Sequence, residues 1–263
     1  MSTIVVEKAT ITGKSDLGQD CYIFDLAPFS RADRVVPGQF VHIRVPSGAV
    51  FFRRAFSIYD VDPEKNGFRI IFKVMGRGTR ALAMLGEGEK LDILGPLGNG
   101  FAFPAADETA VMIAGGIGLP PVYFLARRLL AEGIDPDRIQ FFYGAVSEEA
   151  LVALDEVSRL GIKVTATTDD GSNGRRGFVT EYAEAALAAR DGRYRLYACG
   201  PEPMLKAVET LAGRLALPGQ LSLEAPMPCG LGICLGCVRP LVRGGYTRVC
   251  RDGPVYDIGE VQL

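Results

Sequence analysis

The sequence predicts a multidomain β and α/β protein, with an N-terminal antiparallel six-stranded β-barrel, a central doubly wound parallel-sheet domain and a C-terminal cysteine-rich module. Short strands separated by turns come first, strands then alternate with helices, and four closely spaced cysteines follow near the end. A chain of 263 residues suits two medium domains and an appendage. The predicted boundaries are residues 1–102, 103–217 and 218–263.

The barrel prediction depends on short apolar runs bounded by turn signals. Val41, Ile43 and Val45 alternate with their neighbours in the period-two pattern of a strand. Pro-Gly, Asn-Gly and Gly-Pro pairs separate the runs, which favours tight turns between antiparallel strands. The predicted strands are Ile4–Thr12, Cys21–Leu26, Gln39–Val45, Phe51–Tyr59, Phe68–Val74 and Lys90–Leu94.

The central domain is predicted from the alternation of strands with helices, which is typical of a parallel sheet covered on both faces. The predicted strands are Ala110–Ala114, Ile139–Tyr143, Lys163–Thr168 and Arg195–Ala198. The predicted helices are Leu119–Glu132, Glu148–Arg159, Phe178–Ala189 and Pro203–Ala216, and a helical stretch, Arg80–Leu85, is expected within the barrel domain. Leu217-Pro218-Gly219 is expected to close the domain.

The C-terminal module carries Cys229, Cys234, Cys237 and Cys250 in the order C-x4-C-x2-C followed by a more distant fourth. This spacing is the plant-type arrangement for a [2Fe–2S] cluster, which transfers single electrons. Glycines between the cysteines let the backbone approach the cluster and direct amide N–H groups at its sulfurs. The alternative is a four-cysteine zinc site, although zinc ribbons usually pair two C-x2-C knuckles and this chain has one.

Composition limits the kinds of partner and the cellular compartment that are expected for this chain. A formal net charge of -2 and a pI near 5.6 argue against nucleic acid as the main partner. No apolar run is long enough to span a bilayer, and the first residues lack the apolar region of a signal peptide. Four of six cysteines in a metal-type cluster indicate a reducing compartment, so a cytoplasmic location is expected. Cys21 and Cys199 are expected to be small buried side chains.

Two motifs in the barrel are candidates for a nucleotide cofactor. In Arg53-Arg54-Ala55-Phe56-Ser57-Ile58, an arginine could neutralise a pyrophosphate and the serine could hydrogen-bond a ring nitrogen. The alternative is a solvated arginine pair on a strand. Gly76-Arg77-Gly78-Thr79 precedes the helical stretch and could cradle a phosphate with free amide groups, or be an ordinary glycine turn.

Loops at the carboxyl ends of the central strands form a third candidate site. Gly115-Gly116-Ile117-Gly118 follows a strand and begins a helix, although it lacks the third glycine of G-x-G-x-x-G, and no acid ends the second strand. Cys199-Gly200-Pro201 adds a second loop at the same edge, where open parallel sheets bind ligands. Asp169-Asp170 could offer a carboxylate to a ribose; a plain turn is equally consistent with these residues.

Taken in order, these segments resemble the ferredoxin–NADP reductase superfamily, and most of all the electron-transfer subunits of class B dihydroorotate dehydrogenases. Arg54-Ala55-Phe56-Ser57 is similar to the family's Arg-x-x-Ser flavin element, although Ala55 stands where proline is more usual. Gly78-Thr79 matches the pyrophosphate turn, and the loops at Gly115 and Cys199 match the nicotinamide loops. The ending Cys250-Arg251-Asp252-Gly253-Pro254-Val255-Tyr256 is the most specific match.

The resemblance implies FAD in the barrel, NAD in the central domain and a [2Fe–2S] cluster on the four cysteines. It implies that electrons pass from an FMN-containing dihydroorotate dehydrogenase partner through the cluster and FAD to NAD+, in a heterotetramer of two plus two subunits that serves pyrimidine biosynthesis. No residue of this chain is assigned to catalysis on dihydroorotate. The cofactor-binding residues that it implies are Arg54, Ala55, Phe56, Ser57, Ile71, Phe72, Lys73, Gly78, Thr79, Gly115, Gly116, Gly118, Cys199, Gly200, Pro201 and Met204.

Two alternatives stay open from the residues. One is an NAD(P)H-dependent reductase subunit that serves a hydrogenase, an oxygenase or a ferredoxin. The other is a non-enzymatic scaffold with a structural zinc ribbon. The residues leave NAD and NADP both open; NAD is favoured by the resemblance and by Asp169 and Asp170, which would repel a 2′-phosphate. The single histidine, His42, is expected to have a structural or a surface role.

Overall fold

A computed structural model describes residues 4–48, 50–188 and 192–263. The chain begins with a closed barrel. Its strands are β1 (Val5–Asp16), β2 (Cys21–Ala27), β3 (Phe40–Arg44), β4 (Arg54–Asp62), β5 (Gly67–Lys73) and β6 (Lys90–Leu97), and a short helix, α1 (Arg77–Ala83), precedes β6. The strands pair antiparallel in the order β1-β2-β5-β4-β3-β6. The prediction of a six-stranded antiparallel barrel is confirmed.

Strand β3 departs from the alternation that its sequence suggests. Val41 and Ile43 fill the barrel core, as the period-two pattern predicts. Phe40 and His42, on the opposite face, are also buried, because the C-terminal module covers this side of the barrel. A surface role for His42 is therefore wrong.

The central domain is a six-stranded sheet with helices packed against it. Its elements in chain order are β7 (Glu108–Gly115), α2 (Leu119–Ala131), β8 (Ile139–Ala145), α3 (Leu154–Ser158), β9 (Lys163–Thr168), α4 (Val179–Ala188), β10 (Arg193–Cys199), α5 (Glu202–Leu215) and β11 (Gly219–Ser222). Five strands run parallel in the order β11-β10-β7-β8-β9, which confirms the doubly wound sheet. No helix in the described part of the chain is both long and apolar enough to span a bilayer.

The C-terminal segment contributes to the sheet and also forms the cysteine module. Strands β12 (Val238–Pro240) and β13 (Tyr246–Arg248) make a small antiparallel pair, and β14 (Val255–Asp257) runs antiparallel to β11 at the sheet edge. The Asn99 side chain fastens this segment to the barrel domain: its amide nitrogen donates to the Val255 carbonyl at 2.8 Å, and its amide oxygen accepts from the Val255 N–H at 3.0 Å. The sheet therefore uses residues on both sides of position 217.

Helix boundaries are where the structure differs most from the sequence prediction. Residues 148–159 do not form one helix: a 3-10 turn at Glu148–Ala150 is followed by α3, because Ala153 takes a left-handed conformation with φ of 54°. Helix α1 begins three residues before the predicted stretch at Arg80. The predicted helix Phe178–Ala189 corresponds to α4, and its last residue, Ala189, lies outside the described residues.

Candidate functional site

A cavity of about 280 Å³ opens where the barrel meets the central domain. We call it the barrel cavity. It gathers eight of the residues that the sequence suggests for cofactor binding, from strands β4 and β5, the start of α1 and the end of β10. These are Ala55, Phe56, Ser57, Ile71, Phe72, Lys73, Thr79 and Cys199. Residues that lie far apart in the sequence therefore line the same cavity.

The two adjacent arginines of β4 have different surroundings. Arg53 is a structural residue: its guanidinium forms an ion pair with Asp92 at 2.7 Å and donates to the Asp92 carbonyl oxygen at 2.9 Å. Arg54 lies against Gly78 instead, where a β-carbon added to the glycine would stand 2.9 Å from Nε of the arginine. The missing side chain at Gly78 thus lets a guanidinium lie beside the first turn of α1, beyond the barrel cavity.

The hydroxyl of Thr79 organises that turn. Its Oγ1 accepts hydrogen bonds from the backbone N–H of Met75 at 2.9 Å and of Gly76 at 3.2 Å. Gly76 is the N-cap residue and Thr79 is at position N3, where a side chain can accept from the N-cap backbone N–H. The threonine therefore fixes the loop that joins β5 to α1 at the edge of the barrel cavity.

Several lining residues of the barrel cavity were missed from the sequence. They are Phe40, Met75, Ile117, Pro120, Ser222, Leu223, Glu224, Ala225, Met227 and Pro254. Four of them, Leu223, Glu224, Ala225 and Met227, come from the segment after β11, which crosses from the sheet to the cysteines. Burial raises the pKa of Glu224. No sequence prediction used this segment; two prolines in Glu224-Ala225-Pro226-Met227-Pro228 are the one signal that could have indicated an irregular crossing.

A second cavity, of about 610 Å³, lies between the barrel and the carboxyl edge of the parallel sheet. We call it the interdomain cavity. Its lining includes Gly115, Gly116, Pro201 and Met204 from the two predicted loops. Lys73, Met75 and Ile117 line both cavities, so the two spaces adjoin. The lining residues that sequence reasoning missed include Gln19, Cys21, Val146 and Phe178.

Glycine is required where the two loops of the central domain touch. A β-carbon on Gly115 would lie 2.6 Å from the Met204 sulfur, and one on Gly118 would overlap the Cys199 carbonyl oxygen. A β-carbon on Gly200 would lie 3.0 Å from the α-carbon of Gly115. The predicted residues Gly118 and Gly200 therefore lie behind the interdomain cavity and bring the two loops into direct backbone contact.

Asp169 and Asp170, which follow β9, have different surroundings. Asp169 lines the interdomain cavity. Asp170 accepts hydrogen bonds from the Ser172 hydroxyl at 2.6 Å and the Ser172 backbone N–H at 2.9 Å, and these bonds lower its pKa. The carboxylate available to a ligand therefore follows β9, the third strand of this sheet in chain order. In dinucleotide-binding folds the acid that binds the ribose usually follows the second strand.

The four cysteine sulfurs form two pairs. The Cys237 and Cys250 sulfurs are 3.2 Å apart and buried, whereas Cys229 and Cys234 interact nearer the surface and Cys234 is exposed. Within the described residues, no three His, Cys, Asp or Glu side chains converge as ligands of a single ion would. Two pairs of thiols suit a two-iron cluster, in which each iron takes two cysteines, better than a single zinc.

Backbone amides surround these sulfurs. The N–H groups of Leu231 and Gly232 donate to the Cys229 and Cys250 sulfurs at 3.4 and 3.2 Å, and that of Gly236 donates to Cys234 at 3.5 Å. Burial would raise the pKa of Cys229, but the amides of Cys234, Leu231 and Ile233 together lower it to about 6. Donors that stabilise a thiolate also suit the sulfurs of a bound cluster, so the loop fits the group.

A barrel joined to a doubly wound sheet, with adjoining cavities at the junction, defines an oxidoreductase that pairs a flavin with a nicotinamide. Family models match accordingly: an oxidoreductase FAD-binding domain over residues 8–101, an oxidoreductase NAD-binding domain over residues 112–210, and the iron-sulfur cluster binding domain of dihydroorotate dehydrogenase B over residues 224–262. The chain is 42% identical over 235 residues to the "dihydroorotate dehydrogenase B (NAD(+)), electron transfer subunit" of Bacillus cereus (strain B4264) and to that of Bacillus anthracis (strain A0248), covering 86% of this chain and 87% of each relative. The chain belongs to the family of dihydroorotate dehydrogenase B electron transfer subunits.

Solved structures agree on the fold. The NADH-dependent reduced ferredoxin-NADP oxidoreductase, described for flavin-based electron bifurcation, superposes with a TM-score of 0.83 at 30% identity over 97% of this chain and 89% of that one. The ferredoxin reductase of carbazole 1,9a-dioxygenase superposes with a TM-score of 0.66 at 24% identity, over 81% of this chain and 65% of that one, and shows the fold alone. The cofactor set of FAD, NAD and an iron–sulfur cluster follows from the three matched domains, and the zinc-ribbon scaffold is excluded.

Proposed function

We propose that this chain is the NAD-linked subunit of a dihydroorotate dehydrogenase, passing electrons from an FMN-containing catalytic partner through the [2Fe–2S] cluster and FAD to NAD+. The observation that carries the proposal is that three sites lie side by side: the cysteine module, the barrel cavity and the interdomain cavity. The cysteine module lies on the outer face of β3, the barrel cavity lies beside it, and the interdomain cavity shares Lys73, Met75 and Ile117 with the barrel cavity.

The order of these sites suits the number of electrons that each cofactor carries: one for the cluster, one or two for the flavin and two for the nicotinamide. A bound flavin would exchange both the hydride of a nicotinamide and the single electrons of a cluster. The chain's own task is placement. Ser57 and Phe56 face the barrel cavity, and Arg54 beside Gly78 supplies the positive charge that a pyrophosphate needs. We assign FAD to Arg54, Ala55, Phe56, Ser57, Ile71, Phe72, Lys73, Gly78 and Thr79 on this basis.

The interdomain cavity is proposed to hold the dinucleotide. Its glycine loops allow close backbone approach, and Asp169 offers a carboxylate that can accept from a ribose hydroxyl and would repel a 2′-phosphate. This supports NAD over NADP. The residues assigned to NAD are Gly115, Gly116, Pro201 and Met204, which line the cavity, and Gly118, Cys199 and Gly200, which hold the two loops together behind it. The corresponding domains are 1–102 for FAD, 103–217 for NAD and 218–263 for the cluster, with strands from the last segment completing the sheet of the second.

Electron entry is proposed at the exposed side of the cysteine module. Cys234 is exposed, and Ile233 and Leu235 beside it are 77% and 60% exposed. Apolar side chains beside a cluster ligand suit a surface that docks to the catalytic subunit. No residue of this chain is assigned to proton transfer with dihydroorotate. The proposal includes an assembly of two of these subunits with two partner subunits. It also includes a cytoplasmic location, where free thiols such as Cys21 and Cys199 stay reduced.

A second candidate is a reductase subunit that exchanges electrons with a ferredoxin. It is favoured by the superposition on the NADH-dependent reduced ferredoxin-NADP oxidoreductase. The family assignment through the cluster domain argues for the first proposal. Co-expression with an FMN-containing dihydroorotate dehydrogenase subunit separates the two, because only the first predicts a stable complex.

The test is an anaerobic absorbance spectrum of the purified chain before and after NADH, followed by assays with dihydroorotate. We expect flavin bands and a broad iron–sulfur shoulder that both bleach with NADH. The chain alone should reduce dyes with NADH and leave dihydroorotate unoxidised, and the complex should reduce NAD+ with dihydroorotate. Oxidation of dihydroorotate by the chain alone would overturn the division of labour.

A further inference from the structure

The only histidine of the chain is buried without a hydrogen-bond partner. His42 lies in β3 with no exposed surface, and neither ring nitrogen has a partner among the described residues. A neutral imidazole carries one N–H donor and one acceptor, and burying either without a partner is unfavourable. Such a group calls for an explanation: a bound water, an ion or a cofactor that the ring would meet.

The ring lies between the barrel cavity and the cysteine loop. On one side, the ring centroid of Phe40, which lines the barrel cavity, is 5.7 Å from that of His42. On the other side, a β-carbon added to Gly230 would stand 2.7 Å from Cε1 and 2.8 Å from Nδ1 of the imidazole. Gly230 follows the cluster ligand Cys229 directly, and its φ is 70°. The missing side chain therefore lets the nitrogen-bearing edge of the ring touch the loop.

The ring is fixed and uncharged in this position. Burial, together with the smaller effect of the Arg53 charge, lowers the pKa of His42 to about 4. Arg53 also donates from Nη1 to the His42 carbonyl oxygen at 3.4 Å. Strand pairing with Ala55 holds the backbone. The imidazole thus keeps its N–H at neutral pH and cannot swing away to water.

We propose that His42 is a positioning residue for electron transfer. Its ring lies between the barrel cavity and the cysteine loop, and its N–H would donate a hydrogen bond to a sulfur of the bound cluster. The inference rests on the proposed function. Each transfer oxidises the cluster by one electron and reduces the flavin by one, and His42 is neither oxidised nor reduced. An N–H donated to a cluster sulfur favours the reduced cluster and so raises its potential.

The test is a direct one because the chain contains a single histidine. Protein grown with histidine labelled with 15N in the ring is reduced and studied by pulsed EPR. We expect a weak 15N coupling to the cluster spin that disappears in His42→Leu. A redox titration of His42→Leu should show the one-electron equilibrium shifted about tenfold towards the oxidised cluster, which is about 59 mV for one electron.

Two further variants separate hydrogen bonding from packing. His42→Gln keeps an N–H donor and should restore most of the potential, whereas His42→Phe keeps an aromatic ring and should not. If His42→Leu fails to fold, these two variants and the coupling in the wild type still decide. A cluster that forms fully but shows no 15N coupling, with unchanged potential in His42→Phe, would overturn the inference. Absence of any cluster in the wild type would overturn the proposed function instead.

Discussion

The guanidinium of Arg69 and the carboxylate of Glu156 form a two-pronged ion pair across the junction of barrel and sheet, with N–O distances of 2.8 and 3.0 Å. Arg69 belongs to β5 and Glu156 to α3, so the pair joins the two domains that line the interdomain cavity. The Tyr59 hydroxyl also donates to Glu156 at 3.1 Å, and the Tyr59 ring stacks on Tyr123 at 4.3 Å. The domain orientation that the proposed hydride transfer requires therefore depends on a compact polar cluster.

The first prediction concerns the stability of this junction. Glu156→Gln should lower the free energy of unfolding by about 2 kcal/mol, between the values for buried and exposed pairs, because both side chains are about one quarter exposed. It should also raise the KM for NADH, since the cavity lies between the domains. The control is Glu184→Gln, which breaks the more exposed pair with Arg214 and should cost less than about 0.5 kcal/mol. Equal losses in urea unfolding would contradict the assignment.

The second prediction concerns pH. Burial raises the pKa of Glu156, but its hydrogen bonds and charge contact with Arg69 outweigh burial, and the folded-state pKa is lowered. A lowered folded pKa means that the unfolded chain binds more protons as pH falls through the usual range of a glutamate. The stabilisation is therefore present above about pH 4.5 and is lost below it. Urea unfolding at pH 7.5 and pH 4 should show a steeper acid loss for wild type than for Arg69→Gln; parallel losses would refute it.

The third prediction separates the adjacent arginines of β4. Arg54→Gln should leave the free energy of unfolding of the apoprotein within about 0.5 kcal/mol of wild type. It should lower the FAD content, because the guanidinium lies beside Gly78 and has no ion pair among the described residues. Arg53→Gln should instead destabilise the barrel by about 1 kcal/mol through loss of the Asp92 pair. Flavin-to-protein ratios after gel filtration, with urea unfolding of each apoprotein, measure both effects. Similar results for both variants would contradict this division.

The sequence was sufficient for the architecture, and it was enough to select four cysteines as proposed cluster ligands, because both leave local signals. Strand β9 and the start of α2 at Leu119 follow directly from apolar runs and a glycine–proline boundary. The position of His42 could not be predicted, because its partner loop lies about 190 residues away in the chain. The break at Ala153 was also missed, since a left-handed alanine has no propensity signal and depends on tertiary packing.

Glu224 shows the same limit at the candidate site. Its neighbours in the sequence indicate only an irregular segment, and its place in the barrel cavity arises because β11 carries the chain back across the sheet. By contrast, Gly78 and Thr79 were identifiable, because a glycine turn before a helix is a local pattern. A site built from one segment can therefore be proposed from the sequence, whereas the contributions of other segments emerge only from the fold.

The fourth prediction tests the contact between the glycine loops. Gly118→Ala should raise the KM for NADH about tenfold or more, because the new methyl group would overlap the Cys199 carbonyl and push the loops apart. FAD and cluster absorbance should stay at wild-type levels. Gly213→Ala is the matched control: nothing lies within 4 Å of its added carbon, and it lies within α5, so about 0.5–1 kcal/mol of stabilisation is expected. An unchanged KM in Gly118→Ala would show that the two loops need not touch.

The fifth prediction concerns Cys234, the exposed cysteine of the module and a proposed cluster ligand. Cys234→Ser should abolish the iron–sulfur absorbance and electron exchange with the catalytic partner while FAD stays bound, because Cys234 lies on the cysteine module and contributes nothing to the barrel cavity. NADH-dependent dye reduction through the flavin should persist. The control is Cys21→Ala, a buried thiol on β2 that lines the interdomain cavity, which should keep a full complement of iron. Iron and sulfide analysis beside the flavin-to-protein ratio measures both variants. Loss of flavin from Cys234→Ser with iron retained would mean that this cysteine serves the barrel rather than the cluster.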